Sequence, residues 1–282
     1  MRRNEELQKY LANKHRGGEN NLKGGTYEDF YAVYQIVSCL TRFKDRLDTV
    51  HFQAQLVDAF VDDLLIAYPE INVYHQLKNT QDISWGDPQK KGDIAFDFAH
   101  QIEDCKERNE AFSLKLVHSA NNAEIDTKMP EEIKDYSAGE WFSYYGDINQ
   151  MVLLCEDLRS TLKAISVNSA EITDDELTNI ATVFLGAWKA LSFNRKVKLA
   201  ELLHKVESQT RINLSIYPDQ RISDACQEIL DAIEGIEYYV RGKMFYCRFG
   251  NFTGLCPWPD EMEERIISNH PTTKMELFML IK

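Results

Sequence analysis

Hydrophobic and polar residues alternate along Val50–Leu56, a pattern typical of a strand with one buried face. An apolar run over residues 60–68 follows, and it ends in a Pro-containing segment, 68–72, that favours a turn between antiparallel strands. The residues after the turn again have strand character. The pattern therefore predicts a β-hairpin whose second strand carries Gln76 and Lys78.

Other elements surround this hairpin. Apolar residues of Tyr27–Leu40 recur at helical spacing after Thr26, a suitable cap, and the glycine pairs at 17–18 and 24–25 indicate a flexible arm before it. A capped amphipathic helix is predicted over 92–102 and an apolar strand over 111–117. A helix that joins two strands of one sheet forms a parallel crossover. These elements predict an α/β core with a mixed sheet flanked by helices.

The hairpin brings distinct chemical groups to one point. Residues two apart on a strand share a face, so Gln76 and Lys78 project together while His75 turns away. The first strand places Asp63 opposite or nearly opposite them. Hard cations such as Mg²⁺ bind oxygen ligands and keep several waters, so one or two carboxylates with a carbonyl suffice. Lys78 would then lie beside an attacking water.

Glu28 falls in the first turn of the helix predicted after Thr26. Considered singly, Glu28 is a surface carboxylate that complements the helix dipole, and Lys78 is a charge that protects an edge strand. The order Glu28, Asp63, Gln76 and Lys78 along helix, strand and strand favours a shared site instead.

These residues and their order resemble the PD-(D/E)xK nuclease superfamily in its QxK variant, across roughly residues 20–122. The segments GGTYEDFYAVYQIV, VDDLLI and HQLKNT look most like the nuclease domain of bacterial anti-phage effectors. Two groups are similar: CD-NTase-associated endonucleases, and the nuclease subunit of Lamassu or Ddm-type complexes. The resemblance implies a restriction-endonuclease-like core and a catalytic set of Glu28, Asp63, Gln76 and Lys78, with Glu28, Asp63 and Gln76 as ligands of Mg²⁺, for which Mn²⁺ can substitute.

Two positions depart from the commoner family pattern. Gln76 replaces a Glu or Asp, which makes this metal ligand neutral. The doublet Asp62-Asp63 leaves two candidates for the catalytic aspartate. Asp63 is preferred because the family's aspartate is usually followed directly by three apolar residues, here Leu64–Ile66.

The resemblance implies a metal-dependent endonuclease that cuts double-stranded DNA, as the effector of an anti-phage or anti-plasmid complex with an SMC-like ATPase and an accessory subunit. Two other functions stay open. One is a non-catalytic DNA-end-binding or adaptor subunit of such a complex, and the other is cleavage of RNA or tRNA. Because an unrestrained nuclease harms its host, homo-oligomerisation on activation is a natural control.

Composition and charge limit the class, the location and the partners expected of the protein. A length of 282 residues with 44% hydrophobic residues suits a real core. We expect a cytoplasmic protein with reduced cysteines and no membrane association, because the chain has neither an apolar membrane span nor a secretory signal. The net charge of −13 is unusual for a DNA enzyme, so a partner or oligomer is expected to supply part of the DNA affinity.

The composition turns polar at 126–139, and a boundary is predicted there. It separates a nuclease domain, 1–125, from a helical region for partner docking or oligomerisation, 126–282. Helical spacing covers Trp141–Ile165, and Thr173 with the acidic residues after it predicts the capped start of another helix. A zinc site at Cys247, Cys256 and His270 is not favoured, because no closely spaced cysteine pair is present.

Overall fold

The structure is a computed structural model that describes residues 5–121, 124–166, 172–192, 195–209, 214, 216, 221–241, 244–250, 252–259 and 261–281. Within these ranges the helices are α1 Glu5–Arg42, α2 Ile94–Glu107, α3 Glu131–Lys134, α4 Ile148–Leu154, α5 Glu156–Ala164, α6 Asp174–Leu191, α7 Leu199–Gln209, α8 Asp224–Asp231, α9 Met262–Asn269 and α10 Lys274–Ile281. The strands are β1 His51–Ala54, β2 Leu64–Ala67, β3 Asn72–Lys78, β4 Phe112–His118, β5 Ser137–Trp141, β6 Val197–Lys198, β7 Glu237–Arg241, β8 Met244–Phe249 and β9 Phe252–Pro257.

Six of the described strands form a mixed sheet in the order β5-β4-β3-β2-β1-β6. The predicted hairpin is present: β2 and β3 are antiparallel with Leu64 opposite His75, and the turn is closed by the Tyr68 N–H donating to the Ile71 carbonyl at 2.9 Å. Strands β3, β4 and β5 are parallel, and α2 makes the predicted crossover between β3 and β4. The α/β class with a mixed, helix-flanked sheet is confirmed.

Alternation along the strands gives the sheet two apolar faces. Leu64, Ile66 and Leu77 pack with buried residues of α1, whereas Leu65 and Tyr74 pack with Phe98 and other residues of α2. A strand with apolar residues on both faces is covered on both sides, which explains the near-continuous apolar run of β2. The sheet is therefore sandwiched between α1 and α2.

Helix α1 differs from its prediction. It runs through both glycine pairs without a break, so the interpretation of these glycines as a flexible arm was wrong. Thr26 is not a cap, because its Oγ1 donates to the Leu22 carbonyl at 2.9 Å within the helix. The buried stripe that begins at Tyr27 stabilises the part of the helix after the glycines, and each glycine costs a helix only about 1 kcal/mol. Glu28 consequently lies in the middle of a helix rather than in its first turn.

The sheet also extends beyond residue 126. Strands β5 and β6 belong to it, so the boundary predicted at 125/126 falls between two paired strands, β4 and β5. The helix predicted from Trp141 begins only at Ile148, since the preceding residues form β5 and its exit. The mostly helical character of the C-terminal region is confirmed, and Thr173 forms a capping box with Glu176 at the start of α6.

The C-terminal region contains two structural parts. Helices α4–α7 pack against α1 and join the core on that face of the sheet. Strands β7–β9 form a separate antiparallel sheet, which packs with α8–α10 around its own apolar cluster that includes Leu230, Phe245 and Trp258. Along the described ranges, no helix has the length and apolar character needed to cross a bilayer.

Candidate active site

The predicted site residues meet at one edge of the six-stranded sheet, which we call the site edge. Strand β3 ends there with Lys78, β2 begins there just after Asp63, and β1 ends there just before Gln55. Because β2 runs antiparallel to both of its neighbours, the start of β2 and the ends of β1 and β3 lie at the same edge. The topology thus gathers side chains that are far apart in sequence.

Asp63 is held by the neighbouring strand. Its carboxylate accepts a hydrogen bond from Gln76 Nε2 and another from the Leu77 backbone N–H at 2.7 Å. The backbone carbonyls of both aspartates accept from the turn after β1: Asp62 from the Leu56 N–H at 2.8 Å and Asp63 from the Gln55 N–H at 3.2 Å. Of the two aspartates, Asp63 therefore has its carboxylate bound to the predicted site residue Gln76.

Glu28 reaches the site edge from α1. Gln55 Nε2 donates to Glu28 Oε2 at 2.9 Å and fixes the carboxylate beside the end of β1. Gln55 has a φ of 50°, in the left-handed region that side-chain-bearing residues seldom adopt. Such backbone strain persists only where surrounding contacts hold it, and it is common at functional sites. Nothing in the sequence singled out Gln55, because its part depends on the turn that follows β1.

The pKa values of both carboxylates are raised, and the charge of Asp63 contributes to the rise at Glu28. Burial, followed by the nearby charges of Asp63 and Asp29, raises the pKa of Glu28 to about 7, although Lys78 and the Gln55 hydrogen bond oppose the rise. Burial also raises the pKa of Asp63, against the lowering effects of the Leu77 N–H and Lys78. Glu28, Asp63 and Lys78 therefore share one electrostatic environment in which negative charge is poorly compensated.

Asp97, in the first turn of α2, belongs to the same environment. Burial raises its pKa, Lys78 lowers it, and the charge of Asp62 raises it. Lys78 thus acts electrostatically on Glu28, Asp63 and Asp97 together. Asp97 was not among the residues predicted from the sequence, although an acidic residue at the start of the helix after the Lys78 strand was an available signal.

Gln101 fixes the chain that leads into Asp62-Asp63. Its side chain is fully buried in α2, and its Oε1 accepts the backbone N–H groups of Phe60 at 2.9 Å and Val61 at 3.2 Å. A buried backbone donor such as the Val61 N–H needs a partner, so Gln101 couples the position of the loop to α2. It is a positioning residue that periodicity alone did not reveal.

A cleft of about 270 Å³ opens beside Glu28 and Asp63. Its far wall comes from the end of α6, where Trp188, Lys189 and Ser192 line it. Lys189 Nζ lies 2.6 Å from Asp29 Oδ2 at the rim. The region predicted to serve partner docking therefore also contributes a wall and a cation to the candidate site.

All four predicted residues are brought together, although they do not line one cavity equally. Glu28 and Asp63 line the cleft, whereas Gln76 and Lys78 lie on the α2-facing side of the sheet. His75 lies on the α1-facing side, where its Nδ1 is 3.1 Å from the Leu64 carbonyl oxygen, in agreement with the alternation. Asp63 connects the cleft to the α2-facing side.

Two carboxylates and one amide carbonyl are oxygen ligands of the kind that Mg²⁺ binds. Within the described ranges, no three His, Cys, Asp or Glu side chains are grouped so that they could hold a metal ion. A cation at this edge would accordingly depend on Glu28, Asp63 and the neutral Gln76. The amide nitrogen of Gln76 faces Asp63 in the structure. The amide must therefore rotate before its oxygen can bind a cation beside that carboxylate.

Comparison with known proteins gives limited similarity. No protein-family model and no curated protein matches the chain. The Cap4 SAVED/CARF-domain containing receptor of Acinetobacter baumannii, in its structure with the cyclic trinucleotide 2'3'3'-cAAA, is 14% identical over 66% of this chain and 46% of that chain, with a TM-score of 0.41. Another structure of that receptor gives 14% identity over 66% and 47%, with a TM-score of 0.40.

The small subunit of the heterodimeric restriction endonuclease R.BspD6I is 10% identical over 64% of this chain and 100% of that chain, with a TM-score of 0.26. The chain spans less than half the length of the receptor chains that it matches.

Proposed function

We propose that the protein is a metal-dependent endonuclease that hydrolyses phosphodiester bonds of double-stranded DNA. One observation carries the proposal: the topology gathers Glu28, Asp63, Gln76 and Lys78 at one edge of the sheet, in the order expected of a QxK nuclease. A half-buried carboxylate pair with raised pKa values is unfavourable in a purely structural role, because burial penalises its charged form.

The donors fit Mg²⁺, or Mn²⁺ in its place, with Glu28, Asp63 and the Gln76 carbonyl as ligands. A cation bound there would lower the pKa of a water molecule and offset the negative charge of the phosphate. Its charge would also relieve the repulsion between Glu28 and Asp63.

The chain's own residues then divide the work of hydrolysis. Lys78 donates a hydrogen bond that orients the attacking water and offsets charge on the phosphate oxygens. The water attacks phosphorus and loses a proton to solvent, the bond from phosphorus to the leaving oxygen breaks, and the leaving oxygen takes up a proton from solvent. Gln55 and Gln101 keep Glu28 and the loop before Asp63 in place. Lys189, at the cleft rim, is positioned to contact a phosphate of the bound strand.

The acidic total charge favours assembly with other subunits. A chain of net charge −13 binds duplex DNA weakly unless a basic partner or a second copy contributes phosphate contacts. We therefore propose that it is the effector subunit of an anti-phage or anti-plasmid complex with an SMC-like ATPase and an accessory subunit, and that oligomerisation accompanies its activation.

The test is cleavage of supercoiled plasmid by the full chain with Mg²⁺ or Mn²⁺, with and without candidate partners, and with an RNA substrate in parallel. Lys78→Ala should abolish cleavage and leave the thermal midpoint within a few degrees of the parent. Lys134→Ala, on the surface of α3, is the matched control and should cut at the parental rate. Cleavage by Lys78→Ala at the parental rate would remove the catalytic assignment.

One feature favours a second function, a non-catalytic DNA-end-binding or adaptor subunit. Gln76 and Asp63 satisfy each other by a hydrogen bond, and the neutral amide makes the cation site weaker than one with a third carboxylate. This alternative predicts partner-dependent DNA binding without any cleavage by the parental chain, whichever divalent cation is present.

A further inference from the structure

Three parallel strands end side by side next to Lys78. Lys78 of β3 is opposite His118 of β4, which is opposite Trp141 of β5. Backbone hydrogen bonds tie the strand ends together, from the Ser119 N–H to the Lys78 carbonyl at 3.3 Å and from the Phe142 N–H to the His118 carbonyl at 3.0 Å. Residues paired in register share a face, so Lys78, His118 and Trp141 form a row on the α2-facing side, in which His118 is buried.

Trp141 differs from the other tryptophans of the chain. It is 60% exposed, whereas Trp85, Trp188 and Trp258 are each at most 3% exposed. Tyr144, three residues further along, is 37% exposed. An exposed indole offers a large flat apolar face that gains from burial when another molecule binds it.

The same strand ends are free of acidic residues. The segments 78–80, 118–121 and 141–145 read KNT, HSAN and WFSYY, in a chain with 45 acidic residues among 282. Carboxylates on this side of the sheet come from other segments: Asp97, on which Lys78 acts electrostatically, and Asp126, which accepts the Gly139 N–H. An exposed indole near a lysine suits a polyanion with flat rings. Nucleic-acid strands without sequence preference are held by stacking of bases on aromatic side chains, together with basic groups that contact the backbone.

The distance between strands indicates how far Trp141 lies from the phosphate that would be cut. Adjacent strands are about 4.8 Å apart, so Trp141 starts from a strand about 10 Å from that of Lys78. One DNA strand advances about 3.4 Å per stacked nucleotide, which places Trp141 within about three nucleotides of a phosphate held at Lys78. A base in an intact duplex is already stacked on both sides, so an indole can stack only on an unpaired one.

We infer that Trp141 is a base-stacking residue that binds an unpaired nucleotide close to the scissile phosphate. The inference rests on the proposed function, since Lys78 marks the position of the cut. The preferred substrates are then duplexes with a gap, flap or frayed end at the cleavage position, rather than continuous duplex.

Fluorescence tests the binding step, because Trp141 is the exposed emitter among the described tryptophans. The full chain carrying Lys78→Ala is titrated in Mg²⁺ with a gapped duplex, a single strand and a continuous duplex. Gapped and single-stranded DNA should shift the emission to shorter wavelength and protect it from iodide quenching. Both changes should be lost on adding Trp141→Phe, while the continuous duplex produces little change in either protein.

Affinity and cleavage provide the second readout. Stacking of one base contributes enough that Trp141→Ala should weaken binding of gapped DNA about tenfold, whereas Trp141→Phe should retain most of it. With Lys78 present, Trp141→Ala should raise KM on the gapped duplex and leave kcat nearly unchanged. Leu154→Ala, at another exposed apolar side chain, is the matched control and should behave as the parent.

Two results would overturn the inference. One is unchanged binding of gapped DNA by Trp141→Ala. The other is a Trp141 emission shift that depends on protein concentration alone and follows dimer formation, which would assign this edge to a second copy of the chain. The proposed function fails separately: a parent that cuts no substrate would refute the nuclease, while DNA-dependent protection of Trp141 would still be measurable.

Discussion

Glu28→Gln should stabilise the metal-free protein at alkaline pH. In the folded chain, burial and the charges of Asp63 and Asp29 raise the pKa of Glu28 from 4.5 to about 7. Between those values the folded state holds a proton that the unfolded state has lost. The free energy of unfolding therefore falls as pH rises through this window, and the full penalty is present above about pH 7. A glutamine of the same shape carries no such penalty.

The shift sets the size of the effect. A rise of this extent corresponds to about 3 kcal/mol in a dry site, and the partial solvent exposure of Glu28 reduces it to roughly 1–2 kcal/mol. We expect Glu28→Gln to exceed the parent by that amount at pH 8 in EDTA, and to match it near pH 4.5. Glu28→Gln also removes the charged acceptor of the Gln55 amide. This lowers the stability of the variant, but by less than the gain.

Urea unfolding at pH 4.5 and pH 8, with and without Mg²⁺, measures the difference. Glu228→Gln, on the exposed side of α8, is the control and should show no gain at pH 8. Mg²⁺ should narrow the gap between Glu28→Gln and the parent, because a cation bound to the folded state stabilises the parent more. A Glu28→Gln protein that is less stable than the parent at pH 8 would contradict the electrostatic account of the site.

Two further predictions concern buried polar groups. Burial, with the charge of Lys115, lowers the pKa of His75 to about 4; the unfolded state therefore gains a proton first as pH falls, and stability should drop by up to about 3 kcal/mol between pH 6.5 and pH 4. In pH-dependent urea unfolding, His75→Gln should flatten this slope, and an unchanged slope would assign the pH dependence to other groups. Gln101→Leu should cost about 1–3 kcal/mol, because it leaves the buried Val61 N–H and the partly buried Phe60 N–H without an acceptor. Equal midpoints for Gln101→Leu and the parent in the same assay would show that the loop does not depend on Gln101.

Local sequence patterns were sufficient to predict much of the fold. Alternation and turn chemistry predicted the β2–β3 hairpin, and the crossover rule placed β4 beside β3, because these depend on residues close in sequence. The convergence of Asp63 with Gln76 followed from the same hairpin. Helix α1 was cut short because glycine pairs weaken a helix locally, whereas the structure continues the helix through both pairs, ahead of the buried stripe that begins at Tyr27.

The remaining features depend on contacts between distant segments. Strand β6 has only two residues, Val197 and Lys198, and becomes a strand by pairing with β1. Lys189 approaches Asp29 across 160 positions of sequence, so no spacing rule could place it in the cleft wall. Gln55 becomes part of the site through a left-handed turn and a contact with α1. Such side chains need the three-dimensional arrangement before their chemistry is visible.

The central claim is that Asp63 and Lys78 act as one phosphodiesterase site. The most direct measurement is a double-mutant cycle of single-turnover cleavage rates on one linear duplex in Mg²⁺, for the parent, Asp63→Asn, Lys78→Ala and the double variant. If the two residues act as a unit, each single variant should lose nearly all activity, and the double variant should cut no more slowly than either single variant. Single variants that cut at the parental rate, or losses that multiply in the double variant, would contradict a single shared site.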